Sequence, residues 1–177
     1  MGSEIKFKNY SKEYDNLLKY STPYIRMLDS LKEIIRNSKL PKSNLNVLDI
    51  GAGTGNITKL IMDTLPYNSI RNLDLVEPNF EMIAIAKAKL SDSPANYFPI
   101  TFKEHHSLIK YDLIVCIHAL YLMDEPDDLI NKFKEHMHKD SILIICDLGK
   151  EIKMKRWIIH LLRTNIRKHG LLHTLKV

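Results

Sequence analysis

The sequence predicts an α/β fold, a doubly wound parallel sheet of five strands in the order 3-2-1-4-5 behind an N-terminal helical lid. Three observations predict it. From residue 45 onward, short apolar runs alternate with amphipathic helices. These runs are nearly continuous in their apolar residues, which is typical of a parallel sheet covered by helices on both faces. A length of 177 residues accommodates one domain with its own core.

Each element follows from its hydrophobic period. Two helices are predicted first, Tyr10–Tyr20 and Thr22–Asn37, with Ser21 or Thr22 as N-cap and Pro23 at the first helical position. The predicted strands are Leu45–Ile50, Arg71–Glu77, Tyr97–Lys103, Asp112–Ile117 and Ser141–Asp147. The further predicted helices are Asn56–Leu65, Phe80–Leu90, Asp127–His138 and Glu151–His169, the last ended by Gly170.

One domain is therefore expected over 1–177. It comprises N-terminal helices in 1–40, a core in 45–148 and a basic amphipathic helix in 150–170. Of the net charge of +5, residues 150–177 contribute +7, so the rest of the chain carries −2. A body of that charge, without interleaved basic and aromatic residues, argues against a nucleic-acid partner. The basic helix suits an anionic membrane or a partner groove, although packing over the sheet is favoured.

The cysteines and the apolar runs indicate the cellular compartment in which the protein is expected. Cys116 and Cys146 lie in apolar runs and lack the paired spacing of a disulfide framework or a zinc site. No run approaches the roughly 18 apolar residues of a membrane span, and the N-terminus has no signal-peptide core. We therefore expect a cytoplasmic protein that binds neither metal nor membrane.

The stretch that carries chemistry is VLDIGAGTGN, residues 47–56, where the first predicted strand turns into a helix. Glycines at 51, 53 and 55 allow positive φ and close approach of a ligand, and the helix N-terminus presents unpaired amides. Ligands of doubly wound sheets bind at this carboxyl end of the strands. The turn has neither the G-x-G-x-x-G of dinucleotide-binding folds nor the Gly-Lys-Ser/Thr of a Walker loop. A tight turn without a ligand is the alternative.

This motif resembles the first motif of the class I S-adenosylmethionine-dependent methyltransferases, a Rossmann-like family, and the likeness extends over about residues 10–160. Glu77, in LVEPN, ends the second strand 22 residues after Gly55, where a carboxylate can accept both ribose hydroxyls. The resemblance implies S-adenosyl-L-methionine as cofactor and S-adenosyl-L-homocysteine as product. The cofactor-binding residues it implies are Asp49, Gly51, Ala52, Gly53, Gly55, Asn56, Glu77, Pro78, Met82, His106, Ser107 and Ile117.

The same resemblance implies roles within this set. Asp49 is expected near the amino group of the cofactor. Met82 is expected to stack on adenine, although a role in the core explains this methionine equally well. His106 and Ser107 follow the third strand, where the family places polar groups near the adenine. No further ligands accompany His105 and His106 at metal-site spacing.

Four further residues are candidates for the reaction itself. His118 ends the fourth strand and can act as a general base, with packing or substrate orientation as the alternative. Tyrosines of the N-terminal helices can face a sulfonium or a cationic substrate; Tyr14 and Tyr20 are favoured over Tyr10 and Tyr24. The expected catalytic residues are His118 and Tyr20, and the expected substrate residues are Tyr14, Tyr20, His118 and Tyr121.

The implied activity is methyl transfer to a small-molecule N or O nucleophile. Three segments, YST at 20–22, VEPNFEMIAIAKAKL and IHALYLMDEP, resemble the histamine N-methyltransferase-like group, although Pro23 stands where that group's amine meets a carboxylate. The family sheet has seven strands, and the last two are missing from the predicted pattern. Three explanations are open: a truncated chain, a naturally minimal enzyme, or a homodimer or partner chain that completes the sheet edge at Ser141–Asp147. The alternatives are a catalytically incomplete cofactor-binding or scaffold subunit and, less favoured, an RNA methyltransferase.

Overall fold

The computed structural model describes residues 13, 15, 16, 18–120 and 126–146, without the side chains of 126–128. Its helices are α1 (Thr22–Asn37), α2 (Asn56–Thr64), α3 (Phe80–Lys89) and α4 (Pro126–Glu135). Its strands are β1 (Leu45–Ile50), β2 (Ile70–Val76), β3 (Ala95–Phe98), β4 (Tyr111–Ile117) and β5 (Met137–Cys146). The basic helix predicted at 150–170 lies outside the described residues, as do Tyr10, Tyr14 and Tyr121.

The five strands form one parallel sheet in the order β3-β2-β1-β4-β5, which confirms the predicted topology. β1 occupies the centre, with Ile50 opposite Val76 of β2 and Cys116 of β4. The carboxyl ends of these three strands therefore lie side by side. The loops that follow β1, β2 and β4 therefore lie at the same edge of the sheet.

The core is divided into two apolar clusters, one on each face of the sheet. Successive strand residues enter different clusters, Val47 the first and Leu48 the second, because side chains alternate across a strand. Helices α1, α2 and α3 cover the first cluster. Phe133 of α4 and Phe102 of the β3–β4 connection cover the second. Covering both faces explains why the strand sequences are almost continuously apolar.

Helix α1 has the bounds predicted from its amphipathic sequence pattern. Tyr24, Met27, Leu31 and Ile35 are its buried residues, and their spacing of three or four positions places them on one face. Ser21 is the N-cap, so Pro23 is the second helical residue rather than the first. Both of the first two helical positions tolerate a missing amide hydrogen, because neither amide has a partner within the helix.

Predicted boundaries differ from the structure by more than one residue at β3 and at the junction of α4 with β5. β3 covers Ala95–Phe98 rather than Tyr97–Lys103, since Pro99 cannot donate a ladder hydrogen bond and Phe102 packs from a turn. The predicted helix Asp127–His138 ends at Glu135, and β5 already begins at Met137. None of the helices in the described part of the chain has the length and apolar character needed to cross a membrane.

Candidate cofactor site

The glycine turn, residues 51–55, connects β1 to α2 through three glycines with positive φ. The φ angles are 71° at Gly51, 55° at Gly53 and 79° at Gly55, which is the N-cap of α2. Gly51 also leaves no room for a side chain, because a Cβ built there would lie 2.2 Å from the Cβ of Ala119. Glycine is therefore required here both by backbone conformation and by the close approach of the loop after β4.

Glu77 links the glycine turn to the start of α3 through hydrogen bonds. Its Oε2 accepts a hydrogen bond from the Gly53 amide at 3.0 Å, and its Oε1 accepts one from the Asn79 amide at 2.9 Å. Asn79 in turn caps α3 by accepting from the amides of Glu81 and Met82. Burial raises the pKa of Glu77, and the two amide hydrogen bonds oppose that shift. A carboxylate offers about four lone-pair sites, so two are still available to hydroxyl donors.

Asp49 lies beneath the turn, at the penultimate position of β1. Its side chain is buried, and its Oδ2 accepts a hydrogen bond of 2.5 Å from the Thr58 hydroxyl of α2. Burial raises the pKa of Asp49 to about 7; the Thr58 hydrogen bonds oppose the shift, and the nearby Glu77 charge adds to it. A carboxyl group that ionises near neutral pH in a buried position is strongly stabilised by a cationic ligand.

The end of β4 contributes His118 and its neighbours. His118 is half-buried with φ of 56°, a backbone conformation rare outside glycine, and its amide donates to the Cys146 carbonyl at 2.7 Å. Its ring centroid lies 6.0 Å from that of Tyr24 on α1. The buried Ile117 precedes it on the strand that neighbours β1. The structure thus brings Ile117 and His118 to the edge of the sheet that carries the glycine turn.

Tyr24, rather than Tyr20, is the described tyrosine at this site. Tyr24 is 6% exposed and hydrogen-bonds with the Asn56 side chain, whereas Tyr20 is 80% exposed. Burial, with the charges of Asp15 and Asp49, raises the pKa of Tyr24 to about 12, so this hydroxyl keeps its proton at neutral pH. The catalytic and substrate roles expected of Tyr20 stay predictions. Tyr20 lies just before the N-cap of α1 and is exposed, whereas Tyr24 is the first buried residue on the apolar face of α1.

A second polar network lies on the outer side of the turn and was missed by sequence reasoning. The Asp15 carboxylate accepts from the Thr54 hydroxyl at 2.5 Å and from the Asn56 amide at 2.8 Å, both through Oδ1. Its Oδ2 accepts from the Lys89 ammonium at 2.7 Å, and Lys89 also donates to the Asn56 side chain. Asp15 and Lys89 are 74 positions apart. Neither the sequence around Asp15 nor the Ala- and Lys-rich sequence of α3 predicts that they interact.

The structure gathers most of the predicted cofactor residues around the glycine turn. Pro78 lies between Glu77 and Asn79, and a Cβ at Gly53 would lie 3.7 Å from the Met82 sulfur. The residues assembled there are Asp49, Gly51, Ala52, Gly53, Gly55, Asn56, Glu77, Pro78, Met82 and Ile117.

His106 and Ser107 are placed elsewhere, which corrects the expectation that they follow the third strand near an adenine. β3 ends at Phe98, and β4 begins at Tyr111, so these residues approach the amino end of the sheet. There they line a cavity of about 290 Å³ with Leu108, Glu135 and His136. The carboxyl end of β3 is instead marked by the Phe98 carbonyl, which accepts from the Glu77 amide at 3.1 Å.

At that amino end, two histidines that were not predicted to interact form a buried pair. His105 and His136 are 1% and 2% exposed, and His105 Nδ1 lies 3.1 Å from His136 Nε2. His136 falls within the helix predicted over Asp127–His138. It is buried because α4 ends one residue earlier and the chain turns into β5. No group of three or more His, Cys, Asp or Glu side chains in the described ranges is arranged to hold a metal ion.

Comparison with known proteins places this architecture in a family. Residues 24–175 match the family described as Methyltransferase domain. The chain belongs to this family.

Individual relatives are about one-quarter identical to the chain over the aligned residues. It is 25% identical to malonyl-[acyl-carrier protein] O-methyltransferase of Acetivibrio thermocellus over 146 residues, which are 82% of the chain and 49% of that protein. It is 27% identical to histamine N-methyltransferase of Danio rerio over 173 residues, 85% of the chain and 59% of that protein. The chain thus spans about half the length of the curated relatives it matches. The similarity is not particular to the histamine group, since malonyl-[acyl-carrier protein] O-methyltransferases from several organisms also match.

Among solved structures, the plantazolicin methyltransferase BpumL, in complex with a pentazolic desmethylPZN analog and SAH, is 26% identical to the chain. The TM-score is 0.63 over 80% of the chain and 53% of that structure. The two proteins therefore share the fold over that part of the chain.

Proposed function

We propose that the chain binds S-adenosyl-L-methionine at the glycine turn and transfers its methyl group to a small-molecule N or O nucleophile. The observation that carries the proposal is the position of Glu77, whose carboxylate is held by the Gly53 and Asn79 amides at the carboxyl edge of the sheet. Held in this way, the carboxylate keeps two acceptor sites for the ribose hydroxyls without a cost in side-chain entropy on binding.

The charge of the site supports a cationic ligand that carries no phosphate. Asp49 and Glu77 are both buried beside the turn, and each raises the electrostatic benefit of binding a positive group. S-adenosyl-L-methionine carries an ammonium and a sulfonium. A phosphate ligand would instead be repelled by these two carboxylates. The Met82 sulfur beside Gly53 is suited to pack against the adenine ring.

The chain's contribution to the transfer is binding, orientation and exclusion of water. When bound, the cofactor supplies a methyl group on sulfur, which leaves as S-adenosyl-L-homocysteine once an acceptor lone pair bonds the methyl carbon. His118 is proposed as the base that removes a proton from a hydroxyl or ammonium acceptor. Its φ of 56° supports a functional role, because a non-glycine residue adopts that conformation at a cost.

The acceptor is proposed only as a small molecule. The relatives differ in acceptor, since their names include a malonyl-carrier protein, histamine and plantazolicin. A catalytically incomplete cofactor-binding subunit is the second candidate. It is favoured by the position of β5 at the edge of the described sheet, where Ser141–Ile144 are buried and a second copy or a partner chain can pair.

Calorimetric titration with S-adenosyl-L-methionine tests the proposal. Glu77→Gln keeps the size of the side chain but replaces one acceptor oxygen by an amide donor. It is expected to weaken binding by about tenfold to a hundredfold, the worth of one or two charged hydrogen bonds. Glu81→Gln, which removes a charge from the first turn of α3 and leaves Glu77 in place, is the matched control and should bind normally.

Two results would contradict the proposal. One is the absence of binding by the folded wild-type chain, and the other is an unchanged affinity in Glu77→Gln. Methyl transfer to a panel of small amines and hydroxyl compounds, measured for the chain alone and after addition of candidate partner chains, separates the enzyme from the incomplete subunit.

A further inference from the structure

We infer that Asp15 is a positioning residue that fastens the segment before α1 to the glycine turn, with Lys89 as its counter-ion, and thereby slows release of the cofactor. This inference rests on the proposed function, because it concerns the ligand of the same turn. The observation behind it is that one carboxylate joins three parts of the chain distant in sequence. Those parts are the segment before α1, the glycine turn and the last turn of α3.

The contacts of Asp15 are directed at the residues that flank Gly55. Its Oδ1 receives the Thr54 hydroxyl and the Asn56 amide, and Thr54 is only 1% exposed. These two side chains lie immediately before and after the N-cap of α2, so their orientation is coupled to the turn. If the carboxylate moved away, the buried Thr54 hydroxyl would lose its acceptor, which opposes opening of the segment.

Lys89 makes this arrangement electrostatically feasible. The Asp15 and Lys89 side chains are 35% and 22% exposed, so water screens their 2.7 Å contact less than that of a surface ion pair. Without Lys89, Asp15 would add a third uncompensated carboxylate beside Asp49 and Glu77. The Lys89 ammonium also donates to the Asn56 side chain. The same cation therefore orients two acceptors, the Asp15 carboxylate and the Asn56 side-chain carbonyl.

Asn56 connects the network to the inner side of the site. Its side chain hydrogen-bonds with Tyr24, whose ring lies 6.0 Å from that of His118. A continuous set of contacts therefore runs from Asp15 through Asn56 and Tyr24 to the end of β4. Movement of the segment before α1 away from the turn would break the Asp15 contacts, and on this inference that movement accompanies release of a ligand.

The test compares cofactor dissociation rates in isosteric variants. Asp15→Asn and Lys89→Met are each expected to raise the dissociation rate of S-adenosyl-L-methionine about tenfold, measured by stopped-flow displacement. The double variant should dissociate no faster than either single variant, because both remove the same contact. Lys89→Arg should restore a slow rate. Asp63→Asn and Lys59→Met, which break the exposed pair on α2, are the controls and should leave the rate unchanged.

Hydrogen exchange in the ligand-free protein provides a readout that does not depend on the cofactor. In Asp15→Asn, amides of residues 15–20 should exchange at least several times faster, while those of β1 should not change. Wild-type dissociation rates in both single variants, or unchanged exchange at 15–20, would overturn the inference while leaving the proposed function intact. Failure of the wild-type chain itself to bind would overturn the proposed function, and the inference with it.

Discussion

At the scale of single residues, the two buried carboxylates of the site are held by different partners. Glu77 receives two backbone amides, whose positions are set by the turn and by the start of α3. Asp49 receives the Thr58 hydroxyl and is more deeply buried, so its pKa rises to about 7. The first carboxylate is therefore a fixed acceptor, and the second can change its charge near neutral pH.

Cofactor affinity is expected to depend on pH through Asp49. Below pH 7 the carboxyl group of the ligand-free protein is mostly protonated and neutral, so a cationic ligand must first displace that proton. Affinity for S-adenosyl-L-methionine should therefore rise about tenfold between pH 6 and pH 8 and level off above that. Calorimetric titration at a series of pH values measures the effect.

Asp49→Asn separates this effect from the other groups that titrate. The variant keeps Glu77, His118 and Tyr24, as well as the titration of the ligand itself. It should bind more weakly at pH 8 and lose most of the difference between pH 6 and pH 8. A variant that kept the wild-type pH dependence would show that another group carries it.

At the scale of the elements, the glycine turn depends on two different constraints. Gly51 and Gly53 both have positive φ, but only Gly51 has a neighbour where its Cβ would be. Gly51→Ala is expected to lower the free energy of unfolding by about 2–4 kcal/mol, from backbone strain plus the contact with Ala119. Gly53→Ala should cost only about 1–2 kcal/mol, the strain alone. Urea denaturation measures both.

A compensating change tests the steric part of that argument. Ala119→Gly removes the atom that a Cβ at Gly51 would meet. The double variant Gly51→Ala with Ala119→Gly should therefore be destabilised less than the two single changes together. If the two changes were simply additive, the close approach would not be the cause of the glycine requirement.

The elements also show which parts of the fold could be predicted. α1 and β1 were predicted to the residue, because the amphipathic period of α1 ends at polar residues and the mostly apolar run of β1 ends at the first glycine of the turn. β3 was displaced because Phe102 continues the apolar pattern from a turn, and periodicity does not tell a turn from a strand. Asp49, Glu77 and the glycines were predictable because all are adjacent to strand ends.

Contacts between residues distant in sequence were not predictable in this way. Asp15 meets Lys89, and His105 meets His136, only because the sheet brings their elements together. No local pattern marks either pair. The placement of His106 and Ser107 failed for a related reason, since the turns between β3 and β4 carry them to the amino end of the sheet.

At the scale of the whole molecule, the sheet carries polar residues at both ends. The carboxyl end holds the candidate cofactor site, and the amino end holds the His105–His136 pair beside Tyr111. The His136 Nδ1–H donates to the Lys132 carbonyl at 2.9 Å, so its Nε2 accepts from the His105 Nδ1–H. The remaining His105 nitrogen, Nε2, has no hydrogen-bond partner among the described residues. Both rings are therefore held neutral, because a further proton would have no acceptor.

The stabilising contribution of this pair is expected to fall on acidification. Burial and the neighbouring His136 lower the pKa of His105 to about 4. Lys132 and His106 add to this shift, and Asp74 opposes it. Burial lowers the pKa of His136 as well. Between pH 6.5 and pH 4 the unfolded chain binds protons that the folded chain does not, so the free energy of unfolding decreases as pH falls through that window. Asp49 acts in the opposite direction there, since its pKa is raised on folding. The prediction therefore concerns the difference between wild type and His105→Gln, measured by urea denaturation at each pH.

His105→Gln keeps a donor for His136 but removes one group that titrates, so the wild type should lose more stability than this variant as pH falls from 6.5 to 4. His106→Gln removes the adjacent exposed imidazole, the smallest contributor to the His105 shift, and should therefore stay much closer to the wild type than His105→Gln. Equal acid sensitivity in wild type and His105→Gln would mean that the buried ring is protonated without cost. That result would contradict the neutral hydrogen-bonded pair at the amino end of the sheet. A confirmed difference would instead establish that the neutral His105 ring stabilises the fold above pH 6.5 and that this contribution is lost as the pH falls toward 4.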